Sequence, residues 1–153
     1  MKILDLSAGN RAIWFDRKYR DAVFVDIRPE VCPDVVADTR ELPTHIGGGF
    51  SLILFDPPHA NYGANGAMAK TYGHFTTPTI RDTIARTGEQ AHRVTAADAL
   101  MALKWHNHDL SLATVLGLLD PYWEPLFGHG VTAPTRRKRM TSWVMLRRRA
   151  SRV

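Results

Sequence analysis

The chain has 153 residues, enough for one compact domain with a sizeable core, and 44% of them are hydrophobic, which excludes a disordered chain. Its one cysteine, Cys32, excludes an internal disulfide and fits a reducing compartment. The net charge is +5 at pH 7 with His neutral, and it is uneven: no acid follows Glu124, whereas Arg136, Arg137, Lys138, Arg139, Arg147, Arg148, Arg149 and Arg152 do. Such a basic end suits a polyanion such as nucleic acid, or else a solubilising tail.

Met1 and Lys2 lead directly into an apolar run over residues 2–6, which reads as a first strand. With no room for a signal peptide and no apolar stretch long enough to cross a membrane, a cytoplasmic protein is expected. Ser7-Ala8-Gly9-Asn10-Arg11 is a turn of small residues, and residues 12–19 suit a short helix with Ile13, Trp14 and Phe15 on its apolar side. Ala22-Val23-Phe24-Val25 is a second strand ending at Asp26, and Val35-Val36-Ala37 a third ending at Asp38. Gly47, Gly48 and Gly49 then turn the chain into a fourth strand, which stops at Asp56.

Residues 60–78 lack periodicity and carry Tyr62, Tyr72 and Phe75 between glycines, as a binding loop or a disordered segment would. The spacing predicts a helix over 79–93, a strand over 99–105, a helix over 110–119, and two final strands over 123–127 and 142–146. Neither repeat nor linker interrupts this order, so a single domain over 1–153 is expected. The seven histidines lack metal-ligand spacing, so no metal is expected.

An acid ends each of the first four strands: Asp5, Asp26, Asp38 and Asp56. Strands alternating with connections favour a parallel sheet, whose carboxyl edge is where open α/β sheets place their ligands. The fourth strand carries the most distinctive tip, Asp56-Pro57-Pro58-His59. Proline cannot extend a ladder and stiffens the backbone beyond it, so a carboxylate, the Pro57 carbonyl and a flat ring are held together. They form a cradle for a planar ligand bearing an amino group; from these residues alone, a simple turn reads equally well. The Ser7–Arg11 turn, with Asp26 about 20 residues after it begins, points to a nucleoside-like ligand, and the absence of a Lys-Ser/Thr phosphate loop argues against ATP hydrolysis.

Together these motifs resemble class I S-adenosylmethionine-dependent amino-methyltransferases of the Asp-Pro-Pro-aromatic type, in particular small phage-like members without a target-recognition domain. Asp56-Pro57-Pro58-His59 resembles their catalytic motif, and Leu4 through Arg11 their first cofactor motif. Leu103-Lys104-Trp105 and Pro125-Leu126-Phe127-Gly128-His129 resemble further segments, so the likeness covers nearly the whole chain. Two positions depart from the pattern: Asn10-Arg11 stands where a second Gly is usual, and His59 where Tyr, Phe or Trp is usual.

The resemblance implies an α/β, Rossmann-like class I methyltransferase fold: a mostly parallel seven-stranded sheet, an antiparallel C-terminal hairpin and helices on both faces. It implies S-adenosyl-L-methionine as cofactor, held by Asp5, Ser7, Ala8, Gly9, Asn10, Arg11, Asp26, Ile27, Asp38, Thr39 and Asp56. Asp26 would grip the ribose and Asp38 the adenine amine. Asp56, Pro57, Pro58 and His59 would be catalytic, with Asp56 and the Pro57 carbonyl accepting hydrogen bonds from an amine that attacks the methyl in line. Cys32 lies far in sequence from that tip, which argues against a cysteine nucleophile.

The expected reaction is methylation of an exocyclic nucleobase amine, adenine in DNA before RNA, with base flipping where the substrate is a duplex. His59, Tyr62, Tyr72, Phe75, Arg136, Arg137, Lys138 and Arg139 would contact the substrate, since the hairpin loop would open on the Asp56 edge. So small a chain has little surface for reading sequence, which favours a dimer or a partner subunit. The alternatives are methylation of RNA, a protein amide or a small molecule, or a cofactor-binding or cofactor-degrading protein on the same scaffold.

Overall fold

A computed structural model describes residues 1–59, 76–132 and 140–150. Seven strands among these residues form one sheet: β1 (Ile3–Asp5), β2 (Ala22–Asp26), β3 (Val35–Val36), β4 (Phe50–Phe55), β5 (Thr95–His106), β6 (Trp123–Thr132) and β7 (Met140–Arg148), in the spatial order β3-β2-β1-β4-β5-β7-β6. The first five strands are parallel, and β7 runs antiparallel to both β5 and β6. The expected parallel sheet with an antiparallel C-terminal pair is the one observed.

Two α-helices lie among the described residues. Helix α1 (Thr77–Val94) starts where the Thr76 side chain accepts the Thr79 N–H, and Pro78 fits its first turn because no donor is needed there. Helix α2 (Leu112–Leu119) starts in the same way, with Ser111 accepting from Thr114. Both bury one stripe: Ile80, Ile84, Ala91 and Val94 on α1, Val115 and Leu119 on α2.

Those stripes join Leu4, Val25, Ile53, Phe55, Met101, Leu103 and Trp105 in one core, so both helices share one face of the sheet. The alternate residues, Ile3, Ala22 and Phe24, turn to the other face and pack with Trp14, Leu52 and Leu54. Among the described residues, the short crossovers from β1 to β2 and from β2 to β3 carry no α-helix.

Residues 12–19 are not a helix. Arg11 enters the segment in the left-handed region at φ 56°, and the N–H groups of Trp14 and Tyr19 bond three residues back, to Arg11 and Asp16, as in turns. The Asp16 carboxylate also takes the Lys18 N–H, the local bond by which Asp competes with helix. The later strands extend past their sequence bounds because long pairings carry them: β5 begins at Thr95, opposite Phe50, and β6 runs on to Thr132, opposite Met140.

Candidate active site

The chain steps outward from β1 to β2 and β3, then returns to place β4 on the other side of β1. This reversal opens a crevice at the carboxyl ends of β1 and β4, the usual ligand position in such sheets. The Ser7 turn lies on one side of it and Asp56 on the other. They touch: the Asp56 N–H donates to the Ser7 hydroxyl at 2.7 Å. Pro57 is buried and His59 half-buried just beyond.

Asp5 lies beneath the turn and is 1% exposed. Its oxygens accept the Ser7 N–H at 3.2 Å and the Trp14 indole N–H at 2.7 Å. Burial outweighs both bonds and, with the negative charges of Asp56 and Asp26 nearby, pushes this carboxyl up to about 6. Asp26 behaves in the opposite way. Burial raises it, but bonds from the Arg28 side chain and from the Arg28 and Gly9 N–H groups outweigh burial and hold it below the usual carboxylate range. The Gly9 bond, 2.9 Å long, pins the turn to the end of β2.

Asp38 is held below its ordinary value chiefly by the Arg40 side chain, whose Nη2 donates to it at 2.6 Å. Thr39 shares a 2.8 Å hydrogen bond with Thr87 of α1, so its hydroxyl is committed to the helix. Ile27 is exposed beside Asp26, Asn10 is exposed at the turn, and Ala8 is buried with its N–H on the Val25 carbonyl. Arg11 takes the positive φ that a glycine at its position would adopt freely. Its guanidinium is tied to the Arg17 and Cys32 carbonyls and lies 3.9 Å from the centroid of the Phe24 ring.

His59 is held against Trp105, edge to face at 6.1 Å between centroids, and 5.3 Å from His106. Burial is the largest influence on its imidazole and lowers it from its ordinary value of 6.5; the charge of Asp56 works against this, and a bond to the Pro57 carbonyl does the same. The result is a neutral flat ring at the cradle's lip. His106 in turn bonds the Thr141 hydroxyl at 2.8 Å.

Sequence reasoning missed several residues of this edge. Arg28 and Arg40 could have been found, because each follows its acid by two residues. Lys104 donates to Asp56 at 2.6 Å, and its signal was the alternation of β5, which buries Leu103 and Trp105 and turns Lys104 to the other face. Trp14 gave no signal beyond being aromatic. Tyr62, Tyr72, Phe75, Arg136, Arg137, Lys138, Arg139 and Arg152 lie outside the described residues, although β6 and β7 do end at Thr132 and Met140, on the Asp56 edge. The rest of the basic end lies at the opposite edge. Arg147 pairs with Glu124 and Arg149 with Asp120, around a concavity of about 700 Å³.

No protein-family model matches the sequence, and no curated protein does. Solved structures do match the fold. Over 97% of this chain it is similar to the N-methyltransferase NodS from Bradyrhizobium japonicum, solved with S-adenosyl-L-homocysteine, at 10% identity, 78% coverage of that chain and a TM-score of 0.66. A TehB-like S-adenosylmethionine-dependent methyltransferase from Corynebacterium glutamicum matches 97% of this chain and 80% of its own at 14% identity and a TM-score of 0.65. An rRNA methylase from Streptococcus thermophilus matches 97% and 87% at 10% identity and a TM-score of 0.59. At these identities the likeness establishes the architecture: the chain has the Rossmann-like class I methyltransferase fold.

Proposed function

We propose that the chain is an S-adenosylmethionine-dependent methyltransferase acting on an exocyclic amine of a nucleobase, adenine in DNA before other acceptors. The observation that carries this reading is the bond between Asp56 and Ser7 at the sheet's reversal point, which makes a would-be cofactor turn and an amine cradle one unit.

The residues present fit a cationic nucleoside ligand. Asp5 and Asp26 lie close enough for their charges to interact, and acids suit a sulfonium. A carboxylate can accept several bonds, so Asp26 can take ribose hydroxyls beside Arg28, and Asp38 an adenine amine beside Arg40. When bound, S-adenosyl-L-methionine supplies an electrophilic methyl group. Asp56 and the Pro57 carbonyl accept hydrogen bonds from the acceptor amine, which localises its lone pair and orients it. His59 offers the base a neutral face. Most of the acceleration is then positioning and electrostatics.

RNA is the second acceptor, favoured by the likeness to the Streptococcus rRNA methylase. The test is incubation with labelled cofactor and, separately, DNA, RNA and protein. Label entering DNA as methylated adenine supports the reading; label entering protein alone, or no acceptor at all, contradicts it. Binding of a nucleic acid should also weaken steeply as salt rises.

A further inference from the structure

Asp56 meets a cation supplied by a different strand. Lys104 follows the Phe55–Leu103 register pair by one residue, so the pairing of β4 with β5 carries it alongside Asp56. Its Nζ donates to Asp56 Oδ2 at 2.6 Å across a separation of 48 residues. Asp26 and Asp38, by contrast, take their arginines from two residues along the chain.

The two side chains are 30% and 26% exposed, so charges between them are screened less than in bulk water. A bare carboxylate at the head of the crevice would draw in ammonium ions. An ammonium has no lone pair to give, so it would block the cradle. With Lys104 against it, Asp56 keeps Oδ1 as an acceptor, but the pair carries no net charge. An uncharged amino or amide N–H still gains that bond, whereas an alkylammonium meets a second cation. Among the described residues, Asp5 is an acid whose charge interacts with that of Asp56, and it is buried under the turn. The His59 ring, close enough to feel the charge of Asp56 and 5.3 Å from the His106 ring, adds no negative charge.

We propose that Lys104 is the specificity-determining residue of this cradle, making it selective for uncharged planar amines and amides over alkylammonium ions. It acts through Asp56 as a positioning residue, and the proposal rests on the reading of Asp56 as the acceptor's partner.

Aniline and benzylamine form a matched pair of probes. Both are flat rings with one amino group, but at neutral pH only benzylamine is a cation. Their affinities are compared by ligand-observed nuclear magnetic resonance on the full chain, as wild type, Lys104→Met, Lys104→Gln and Lys104→Arg. Circular dichroism reports folding of each variant. The wild type should prefer aniline. The ratio should move about tenfold toward benzylamine in Lys104→Met and Lys104→Gln and return in Lys104→Arg, which a merely structural role would not produce. A wild type that binds benzylamine equally or better, or a ratio unmoved in the folded neutral variants, overturns the proposal. Calorimetric titration of S-adenosyl-L-methionine into the same samples keeps the two readings apart. Absence of cofactor binding sinks the methyltransferase reading, while an unmoved ratio in protein that binds cofactor sinks the role of Lys104.

Discussion

The Ser7 hydroxyl accepts the Asp56 N–H at 2.7 Å, joining the turn after β1 to the tip of β4. Removing that hydroxyl leaves a partly buried N–H without its acceptor. Ser7→Ala should lower stability by about 1–2 kcal/mol in denaturant unfolding. It should also weaken cofactor binding and methyl transfer together, because one bond holds both halves. Loss of transfer with cofactor affinity intact would separate the halves.

Asp5 makes stability fall as pH rises. Its carboxyl titrates near 6 when folded against an ordinary value of 3.8, so the folded state holds the proton that the unfolded state has already released. The stabilisation is complete below pH 4 and lost by about pH 6, amounting to about 3 kcal/mol. Asp5→Asn can still accept the Trp14 indole but carries no charge. Its unfolding free energy should exceed the wild type's near pH 7, with the difference shrinking toward pH 4. A constant difference across that range would place the charge elsewhere.

Arg11 occupies a backbone conformation that suits glycine, and its side-chain bonds to the Arg17 and Cys32 carbonyls offset the strain. Arg11→Ala loses the bonds and keeps the strain, whereas Arg11→Gly loses both. The glycine variant should therefore be the more stable of the two by about 1 kcal/mol, as measured by thermal unfolding. Equal stabilities would mean that the turn has moved to a negative φ.

A glycine inside a helix is usually improved by alanine, but Gly88 should be an exception. A Cβ there would lie 2.6 Å from Leu119 Cδ2, and Leu119 is fully buried. The Gly88 carbonyl also accepts the Trp123 indole N–H at 2.8 Å, which fixes the spacing of α1 from β6. Gly88→Ala should destabilise by about 1–3 kcal/mol despite its better helix propensity. A gain in stability would show that Leu119 can move aside.

The parallel sheet was legible because apolar runs ended in acids at regular intervals, and Asp5, Asp26 and Asp56 do come to one edge. The turn over 12–19 was not legible: its aromatics mimic a helical stripe, while the left-handed Arg11 and the Asp16 side-chain bond decide the backbone. The Lys104–Asp56 contact was hidden because it depends on which strands are neighbours and in what register, and local patterning carries neither. Arg28 and Arg40 were missed, although each follows its acid by only two residues and bonds it. The basic end divided once the direction of β7 was known, since Arg147 and Arg149 lie away from the crevice and bond acids of their own.

The most direct test of the central claim is transfer of labelled methyl from S-adenosyl-L-methionine to an adenine-containing DNA oligonucleotide by wild type and Asp56→Ala, with cofactor affinity measured on both by calorimetry. The account predicts transfer by the wild type, transfer abolished in Asp56→Ala, and cofactor affinity within a few-fold of wild type, since Asp56 acts on the amine. Full activity in Asp56→Ala, or a wild type that binds cofactor and methylates no amine, would contradict it.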